Sequence, residues 1–348
     1  MKHSVSTIFI VLLLLSCCRN KQLESSKIDS TCPTTFVNKE WNGVNLVATS
    51  SQIDSSAISP IVNLNANSVA IIPFGFIRSG KSNVEYNLEW QWFGEKKIGT
   101  IEQIQLAKNA GLKVLLKPHL WLHDGWVGDL EFTTEEDWAN FEKTYTTYIL
   151  DFAQIADSMK VEFYCIGVEL RKVSTQRPDF WIQLIEKVRA IYSGKLTYAA
   201  NWDNYEKIAF WDKLNYIGID AYFPISEEKT PTVEDLIKGW ETDFNQLKAR
   251  SKQENKPVIF TEFGYRNIDF VGKEPWTTSG NASNNTEAQN NAYKAIFCKF
   301  WNESWFTGGF LWKWYPAHSK AGGKENNRFT PQNKPIEKVI RTQYLKSK

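Results

Sequence analysis

The chain lacks a strong excess of charge of either sign. Its 348 residues include 41 Lys and Arg against 39 Asp and Glu, which gives a formal net charge of +2. Because a nucleic-acid-binding domain is usually clearly basic, this balance argues against a nucleic-acid partner. The sequence also has little that could span a membrane, since the unbroken apolar run at 8–15 is too short to cross a bilayer.

Metal-binding patterns are missing as well. The five cysteines are Cys17, Cys18, Cys32, Cys165 and Cys298. Their spacing fits no metal motif and implies no disulfide framework. Two of them, Cys165 and Cys298, lie in apolar segments, where we expect small buried hydrophobes. His119 and His123 would suit a metal on a helix, but they follow Pro118 in a predicted loop. We therefore expect no metal and no cofactor.

The N-terminus has the pattern of an export signal. A basic start, Met1-Lys2-His3, precedes the apolar run. The run ends in Leu14-Leu15-Ser16-Cys17, which resembles a bacterial lipobox and implies cleavage before Cys17 and lipidation of its thiol. We therefore expect a signal peptide at 1–16, a flexible tether at 17–38 and one domain at 39–348, anchored by lipid in a bacterial cell envelope. An ordinary signal peptide with an incidental cysteine is the alternative.

Beyond the tether, short apolar runs alternate with longer helical patterns. Continuous apolar runs indicate parallel strands that are buried on both faces. Strands are predicted near 43–48, 68–74, 113–118, 161–168, 195–200, 215–221, 257–261 and 308–313. Helices are predicted near 100–110, 133–159, 178–192, 203–212, 231–252, 285–303 and 334–345. This alternation predicts a single (β/α)8 TIM barrel. An open doubly wound sheet is the alternative, but no G-x-G-x-x-G turn follows the first strand.

Two of the predicted strands end in a glutamate, Glu169 and Glu262. A buried carboxylate is costly unless it has a partner or a function. The C-terminal ends of barrel strands share one face, which is where active sites lie. Paired carboxylates facing one bond are what a glycosidase requires. Structural ion pairs are the alternative, with Arg266 or Lys313 for Glu262 and with Arg171 or Lys172 for Glu169.

Aromatic and polar residues follow several other predicted strands. Aromatic residues make up 14% of the chain, which has 15 tryptophans. A rim of rings around paired carboxylates is typical of a carbohydrate cleft, where the C–H faces of sugars stack on rings. The predicted substrate-binding residues are His119, Trp121, Asn201, Trp202, Tyr222, Tyr265 and Trp312. We expect Trp312 to lie under the reacting sugar. A purely structural role stays open for His119, Trp202, Tyr222 and Tyr265.

Several segments together resemble glycoside hydrolase clan A and, within it, the bacterial β-mannanases of glycoside hydrolase family 113. The matching stretches span most of residues 40–345 and are Lys117-Pro118-His119-Leu120-Trp121 with Gly125-Trp126, Ile166-Gly167-Val168-Glu169-Leu170, Ala199-Ala200-Asn201-Trp202, Gly218-Ile219-Asp220-Ala221-Tyr222, Phe260-Thr261-Glu262-Phe263-Gly264-Tyr265 and Phe329-Thr330-Pro331-Gln332-Asn333-Lys334-Pro335. The resemblance implies a retaining enzyme that cleaves β-1,4-mannosidic bonds in mannans or manno-oligosaccharides by double displacement. In such an enzyme, the resemblance implies that Glu169 is the acid/base and Glu262 is the nucleophile.

One position departs from the clan. Most members carry Asn before the acid/base, where its amide holds the sugar 2-hydroxyl, and here that residue is Val168. Asn201 is the candidate for a replacement donor. Two other functions stay open: a clan-A β-glycosidase of another polysaccharide specificity, and a non-catalytic glycan-binding lipoprotein. The expected partners are a mannan-type polysaccharide or oligosaccharide and, through the lipid anchor, a membrane. We expect a monomer.

Overall fold

The structure, a computed structural model, describes residues 37–278 and 282–347. The signal peptide, the lipidation site Cys17 and nearly all of the tether that the sequence predicts lie outside the described residues. Among the residues that are described, no helix has both the length and the apolar character needed to cross a bilayer.

Eight parallel strands close into a barrel. The strands of the described ranges are β1 (Trp41–Leu46), β2 (Ser68–Ile71), β3 (Phe74–Ile77), β4 (Glu85–Tyr86), β5 (Lys113–Leu116), β6 (His119–Leu122), β7 (Phe163–Val168), β8 (Lys195–Asn201), β9 (Ile217–Asp220), β10 (Val258–Phe263) and β11 (Phe306–Trp314). The barrel order is β1, β2, β5, β7, β8, β9, β10 and β11, and β11 pairs with β1 to close it. These eight are the strands that the sequence predicts, so the TIM barrel is confirmed.

The barrel strands are buried on both faces. Every residue of β1, β7 and β10 is buried, which explains why their sequences read as continuous apolar runs. Inside the barrel, the Trp41 ring lies 5.0 Å from that of Phe163 and 6.0 Å from that of Phe310. Cys165 is a free, fully buried thiol in this interior, as predicted. The lumen is therefore a packed core rather than a channel.

Helices cover the outside of the barrel. They are α1 (Ser55–Asn63), α2 (Lys97–Asn109), α3 (Glu135–Ser158), α4 (Arg171–Gln176), α5 (Pro178–Arg189), α6 (Val233–Gly239), α7 (Glu241–Glu254), α8 (Thr286–Phe300) and α9 (Pro335–Lys346). The long α3 begins as the sequence indicates: the Thr134 hydroxyl accepts a hydrogen bond from the Asp137 amide at 3.1 Å, which caps the first turn. The short helices α1 and α4 have no counterpart in the sequence-based prediction.

Two helix predictions are wrong in detail. The segment 203–212 forms two 3₁₀ turns, because Tyr205 and Trp211 are buried and the Trp211 indole donates to the Tyr205 carbonyl at 2.9 Å. The segment 231–252 is divided into α6 and α7. Near the junction a Cβ on Gly239 would lie 1.8 Å from the Ile225 carbonyl oxygen, so the end of α6 packs directly on the backbone of Ile225.

A small second sheet stands above the barrel and was not predicted. Strand β3 pairs in parallel with β6 and antiparallel with β4. Pro73 and Pro118 separate β2 from β3 and β5 from β6, and a proline cannot donate to a barrel ladder. Beyond the prolines the two segments run side by side away from the barrel, and the His119 amide donates to the Pro73 carbonyl at 2.8 Å. This sheet carries His119 and Trp121 at the mouth of the barrel.

Cys298 differs from its prediction. It lies on α8, is only half-buried, and is disulfide-bonded rather than a free buried thiol. The expectation of a small buried hydrophobe at Cys298 is therefore wrong.

Candidate active site

The two predicted carboxylates lie at the same end of the barrel. Glu169 directly follows β7, and Glu262 is the last residue but one of β10. Both side chains line one cavity of about 530 Å³ at the C-terminal ends of the strands. The structure thus brings the two carboxyl groups to one cavity, at the end of the barrel where a TIM barrel places its chemistry.

Glu262 is held from two sides and is nearly buried, with 5% of its surface exposed. The Lys117 ammonium donates to its Oε1 at 2.6 Å, and the Tyr222 hydroxyl donates to its Oε2 at 2.7 Å. Burial and the charge of Glu262 raise the pKa of Tyr222 well above its usual value, so the phenol stays protonated and remains a donor. These two bonds fix the carboxylate plane beneath the cavity.

Lys117 is fully buried and shared between two carboxylates. Besides Glu262, it donates to Asp220 Oδ1 at 3.2 Å, and the Thr261 hydroxyl donates to the same oxygen at 2.7 Å. Burial lowers the pKa of Lys117, but the charges of Asp220 and Glu262 outweigh that effect and raise it above its ordinary value. Burial and the charge of Glu262 raise the pKa of Asp220 to about 7. The cluster thus contains one permanent cation.

Glu169 has a different environment. It adopts a left-handed backbone with φ of +52°, a conformation that costs energy in residues other than glycine and is concentrated at functional sites. The Trp126 indole donates to its Oε2 at 3.1 Å. Burial and the charges of Asp220 and Glu262 raise the pKa of Glu169 well above its usual value, against a smaller lowering by the Trp126 bond. One carboxyl beside a cation and one inclined to stay protonated can act as nucleophile and general acid.

An arginine clamp holds Trp126 in place. The Arg171 guanidinium lies 4.9 Å from the centre of the Trp126 ring, within cation–π range. It also pairs with Asp129 at 2.6 Å and with Asp203 at 3.0 Å. Asp203 accepts a hydrogen bond from Asn201 Nδ2 at 2.7 Å. The clamp therefore links the indole on Glu169 to the candidate amide on the next strand.

Six of the seven predicted binding residues line this cavity or the adjoining one of about 330 Å³, and these six are His119, Trp121, Asn201, Trp202, Tyr222 and Trp312. The Trp312 ring is nearly parallel to the His119 ring, at 6.0 Å, and the Trp202 ring stacks on Trp276 at 5.2 Å. Tyr265 lines neither cavity: it is 1% exposed and packs against Tyr293 at 5.6 Å.

His119 is a neutral imidazole. Burial, with the charges of Lys117 and Lys313, holds its pKa well below the usual value. Its Nε2 lies 3.7 Å from Glu262 Oε1, which is too long for a hydrogen bond. This nitrogen has no hydrogen-bond partner within the described part of the chain. A buried polar atom facing a cavity without a partner is available to a bound hydroxyl.

The alternative ion pairs do not form among the described residues. Glu262 pairs with Lys117 rather than with Arg266 or Lys313. Arg171 is committed to Asp129 and Asp203, and Lys172 pairs with Glu131 at 2.6 Å. In the ranges 37–278 and 282–347, no group of three or more His, Cys, Asp or Glu side chains is placed to hold a metal ion.

Sequence reasoning assigned no catalytic or substrate-binding role to four residues of the site: Lys117, Asp220, Trp126 and Arg171. A signal for Lys117 and Asp220 was present, because each is a charged residue at the end of an apolar strand, the same rule that singled out the two glutamates. For Trp126 the signal is its place in the family-like pair Gly125-Trp126, but its contacts with Glu169 and Arg171 could not be read from the sequence, since they depend on a loop and a helix start meeting over Glu169.

Comparisons with known proteins identify a family and agree with the barrel fold. The model of glycoside hydrolase family 113 matches residues 39–334. No curated protein matches the chain by sequence. Among solved structures, a family 113 β-mannanase from Alicyclobacillus acidocaldarius is 24% identical, with a TM-score of 0.77 over 90% of this chain and 98% of that one. A second family 113 β-1,4-mannanase is 23% identical, with a TM-score of 0.75 over 89% and 99%. A Faecalibacterium prausnitzii β-glucuronidase is 13% identical, with a TM-score of 0.57 over 90% of this chain and 49% of that one.

Proposed function

Because this chain belongs to glycoside hydrolase family 113, and is therefore a glycoside hydrolase, we propose that it cleaves β-1,4-mannosidic bonds in mannans or manno-oligosaccharides with retention of configuration. The observation that carries the proposal is the unequal pair of carboxyls in one cavity. Glu262 is ion-paired with Lys117 at 2.6 Å, whereas the pKa of Glu169 is raised well above its usual value. This inequality gives each carboxyl one role.

In the first step, Glu262 attacks the anomeric carbon of the bound sugar and the bond from that carbon to the glycosidic oxygen breaks. Glu169 gives its proton to the departing oxygen, so the leaving sugar departs with a neutral hydroxyl. The product is a glycosyl ester on Glu262. Tyr222, whose hydroxyl lies 2.7 Å from Glu262 Oε2, is positioned to hold the ester oxygen during the exchange.

In the second step, Glu169 works as a base. Esterification removes the negative charge of Glu262, which is one of the causes that raise the pKa of Glu169, so that pKa falls. Glu169 then takes a proton from water while the water oxygen attacks the anomeric carbon, and Glu262 leaves as a carboxylate. The two inversions at one carbon give net retention.

Two kinds of support favour mannan as the substrate: the family of this chain and the polar groups near Glu169. Two solved relatives with similar folds are described as β-mannanases. The position before Glu169 is Val168, which offers no donor to a sugar 2-hydroxyl. Asn201 and the unpartnered Nε2 of His119 are polar groups in the same cleft that can contact hydroxyls instead. Trp312 supplies a ring on which the reacting sugar can stack.

We also propose that the protein is a monomer tethered by lipid on Cys17 to a bacterial cell envelope. The support is the order of a basic start, a short apolar run and a lipobox-like Leu14-Leu15-Ser16-Cys17. A location outside the cytoplasm also suits an enzyme with a disulfide at Cys298, and a polysaccharide substrate is met there.

The test combines two variants with a matched control. Glu262→Ala should lose turnover on mannan but keep oligosaccharide binding. Glu169→Ala should retain far more activity on an aryl β-mannoside with a good leaving group than on mannan, because such a group needs no acid. Glu162→Ala is the control. Glu162 lies at the opposite end of β7, with Lys108 and the Val114 amide as partners, so this variant should cleave mannan at the wild-type rate.

The outcomes separate the alternatives. Reducing ends released from mannan but not from glucan or xylan support the proposal, and nuclear magnetic resonance of the first-formed anomer reports retention. Release from glucan or xylan alone would indicate another specificity within the clan. Binding without release from any of the three would leave a glycan-binding lipoprotein.

A further inference from the structure

A second, larger cavity adjoins the catalytic cleft. It has a volume of about 950 Å³, and four aromatic side chains in its lining, Phe74, Phe76, Trp90 and Trp121, form what we call the aromatic shelf. Trp90 is 56% exposed and Trp121 is 48% exposed. Large rings left in contact with water in one patch mark a binding surface.

The small second sheet builds this shelf. Strands β3 and β6 pair in register, with Phe74 beside His119 and Phe76 beside Trp121. Side chains alternate along a strand, so these four rings share one face of the sheet. The other face packs toward α3, where a Cβ on Gly75 would lie 3.2 Å from Tyr148. The sheet is therefore anchored on one side and presents rings on the other.

The exposed rings are held in fixed positions. The Trp90 ring meets Phe76 edge-on at 5.0 Å, and Trp121 lies 5.9 Å from Phe76. The Arg78 guanidinium lies 5.9 Å from the centre of the Trp90 ring and is itself paired with Glu85 at 2.7 Å. A pre-ordered ring loses little conformational entropy when a ligand stacks on it.

The shelf is continuous with the catalytic site. From Trp312 beside the two carboxylates, rings follow one another to His119 at 6.0 Å, to Phe74 at 5.3 Å and to Phe76 at 6.4 Å. Trp121 lines both the shelf cavity and the cavity that contains Glu169 and Glu262. A ligand extending from the reacting bond in this direction must pass onto the shelf.

We propose that the aromatic shelf binds sugar units of the same polysaccharide chain, remote from the bond that is cleaved, and thereby favours long substrates over short ones. The inference rests on the proposed function. Stacked rings suit the C–H faces of pyranose units, and Arg78, Ser79 and Lys81 at the edge of the cavity offer donors to their hydroxyls. Trp90, which has no role in the catalytic cavity, is a specificity residue in this reading.

The experiment measures kcat/KM for an aryl β-mannoside and for manno-oligosaccharides from two to six units. Trp90→Ala should lower kcat/KM for the hexasaccharide about tenfold, which corresponds to about 1.4 kcal/mol, and leave the aryl mannoside within about twofold of wild type, consistent with the worth of one aromatic stack. Trp90→Phe should recover most of the loss. Trp92→Ala is the matched control, since Trp92 is 53% exposed two residues away and does not line the shelf cavity.

The results divide clearly. A loss that grows with chain length in Trp90→Ala and not in Trp92→Ala supports the shelf. Equal losses at all lengths, or no loss, overturn it while the proposed function stands. A change in sedimentation coefficient in Trp90→Ala would mean that a second copy covers the surface, which also overturns the proposal. A wild type that cleaves no mannoside overturns the proposed function and the shelf together.

Discussion

Replacing Lys117 by methionine isolates the role of the buried cation. Lys117 and Asp220 are fully buried, and Lys117 bonds Glu262 at 2.6 Å and Asp220 at 3.2 Å. Methionine has a similar length but no charge, so two carboxyls would face each other without a cation between them. Removing one partner of a buried ion pair costs about 3–5 kcal/mol, because the remaining charge keeps its desolvation penalty.

The expected change in melting temperature follows from the size of the barrel. An unfolding entropy near 2.1 cal/mol/K per residue over roughly 300 residues gives about 0.6 kcal/mol/K, so Tm should fall by about 5–8 °C. The loss should depend on pH. Without the cation the carboxyls bind protons in the folded state at pH values where they are ionised in the unfolded chain, so stability falls as pH rises. We therefore expect a larger loss at pH 8 than at pH 5.

Activity should fall as well. Without Lys117, the nucleophile Glu262 and its neighbour Asp220 share protons, so Glu262 is less often ionised and able to attack the sugar. We expect kcat/KM at neutral pH to drop by at least about 100-fold, or about 2.7 kcal/mol. A companion variant, Lys117→Met with Asp220→Asn, removes one of the unpaired charges and should recover part of the lost stability, a coupling that a double-mutant cycle measures.

The matched control is Lys39→Met. Lys39 is 4% exposed and donates to the Glu303 and Phe306 carbonyls at the opposite end of the barrel, both at 2.7 Å. Its replacement should lower Tm by leaving carbonyls unsatisfied, at about 1–3 kcal/mol, with kcat/KM unchanged. Calorimetry and steady-state kinetics across pH 5–8 give both readouts. A Lys117→Met protein with normal kcat/KM, or with a loss of stability that does not vary with pH, would refute this account of the cluster.

Two further predictions concern the acid and the anchor. Trp126→Phe removes the indole that donates to Glu169 Oε2. Because that bond lowers the pKa of Glu169, its loss should raise this pKa and move the alkaline limb of the kcat/KM–pH profile to higher pH. An unchanged limb would contradict the assignment of Glu169 as the acid. Cys17→Ala should shift the expressed protein from the membrane fraction to the soluble fraction, as followed by fractionation and mass spectrometry of the N-terminus; unaltered partitioning would leave Cys17 an incidental residue.

Much of the fold was available from the sequence. Apolar runs without alternation predicted strands buried on both faces, and eight of them with helices between predicted the closed barrel. The small sheet of β3, β4 and β6 was missed because Pro73 and Pro118 read as strand ends, whereas the chain resumes pairing just beyond them. The helix predicted at 203–212 failed because burial of Tyr205 and Trp211 outweighed local propensity.

The sequence by itself determined that Glu169 and Glu262 share the mouth of a barrel, because position at the end of a parallel strand is a property of chain order alone. Only the tertiary structure decided what surrounds them. Tyr222 and Tyr265 both follow strands, yet one bonds Glu262 and the other packs on Tyr293. Contacts across a barrel depend on strand tilt and stagger, which a linear pattern does not record, so the partnership of Lys117 with Glu262 emerges only when the barrel closes.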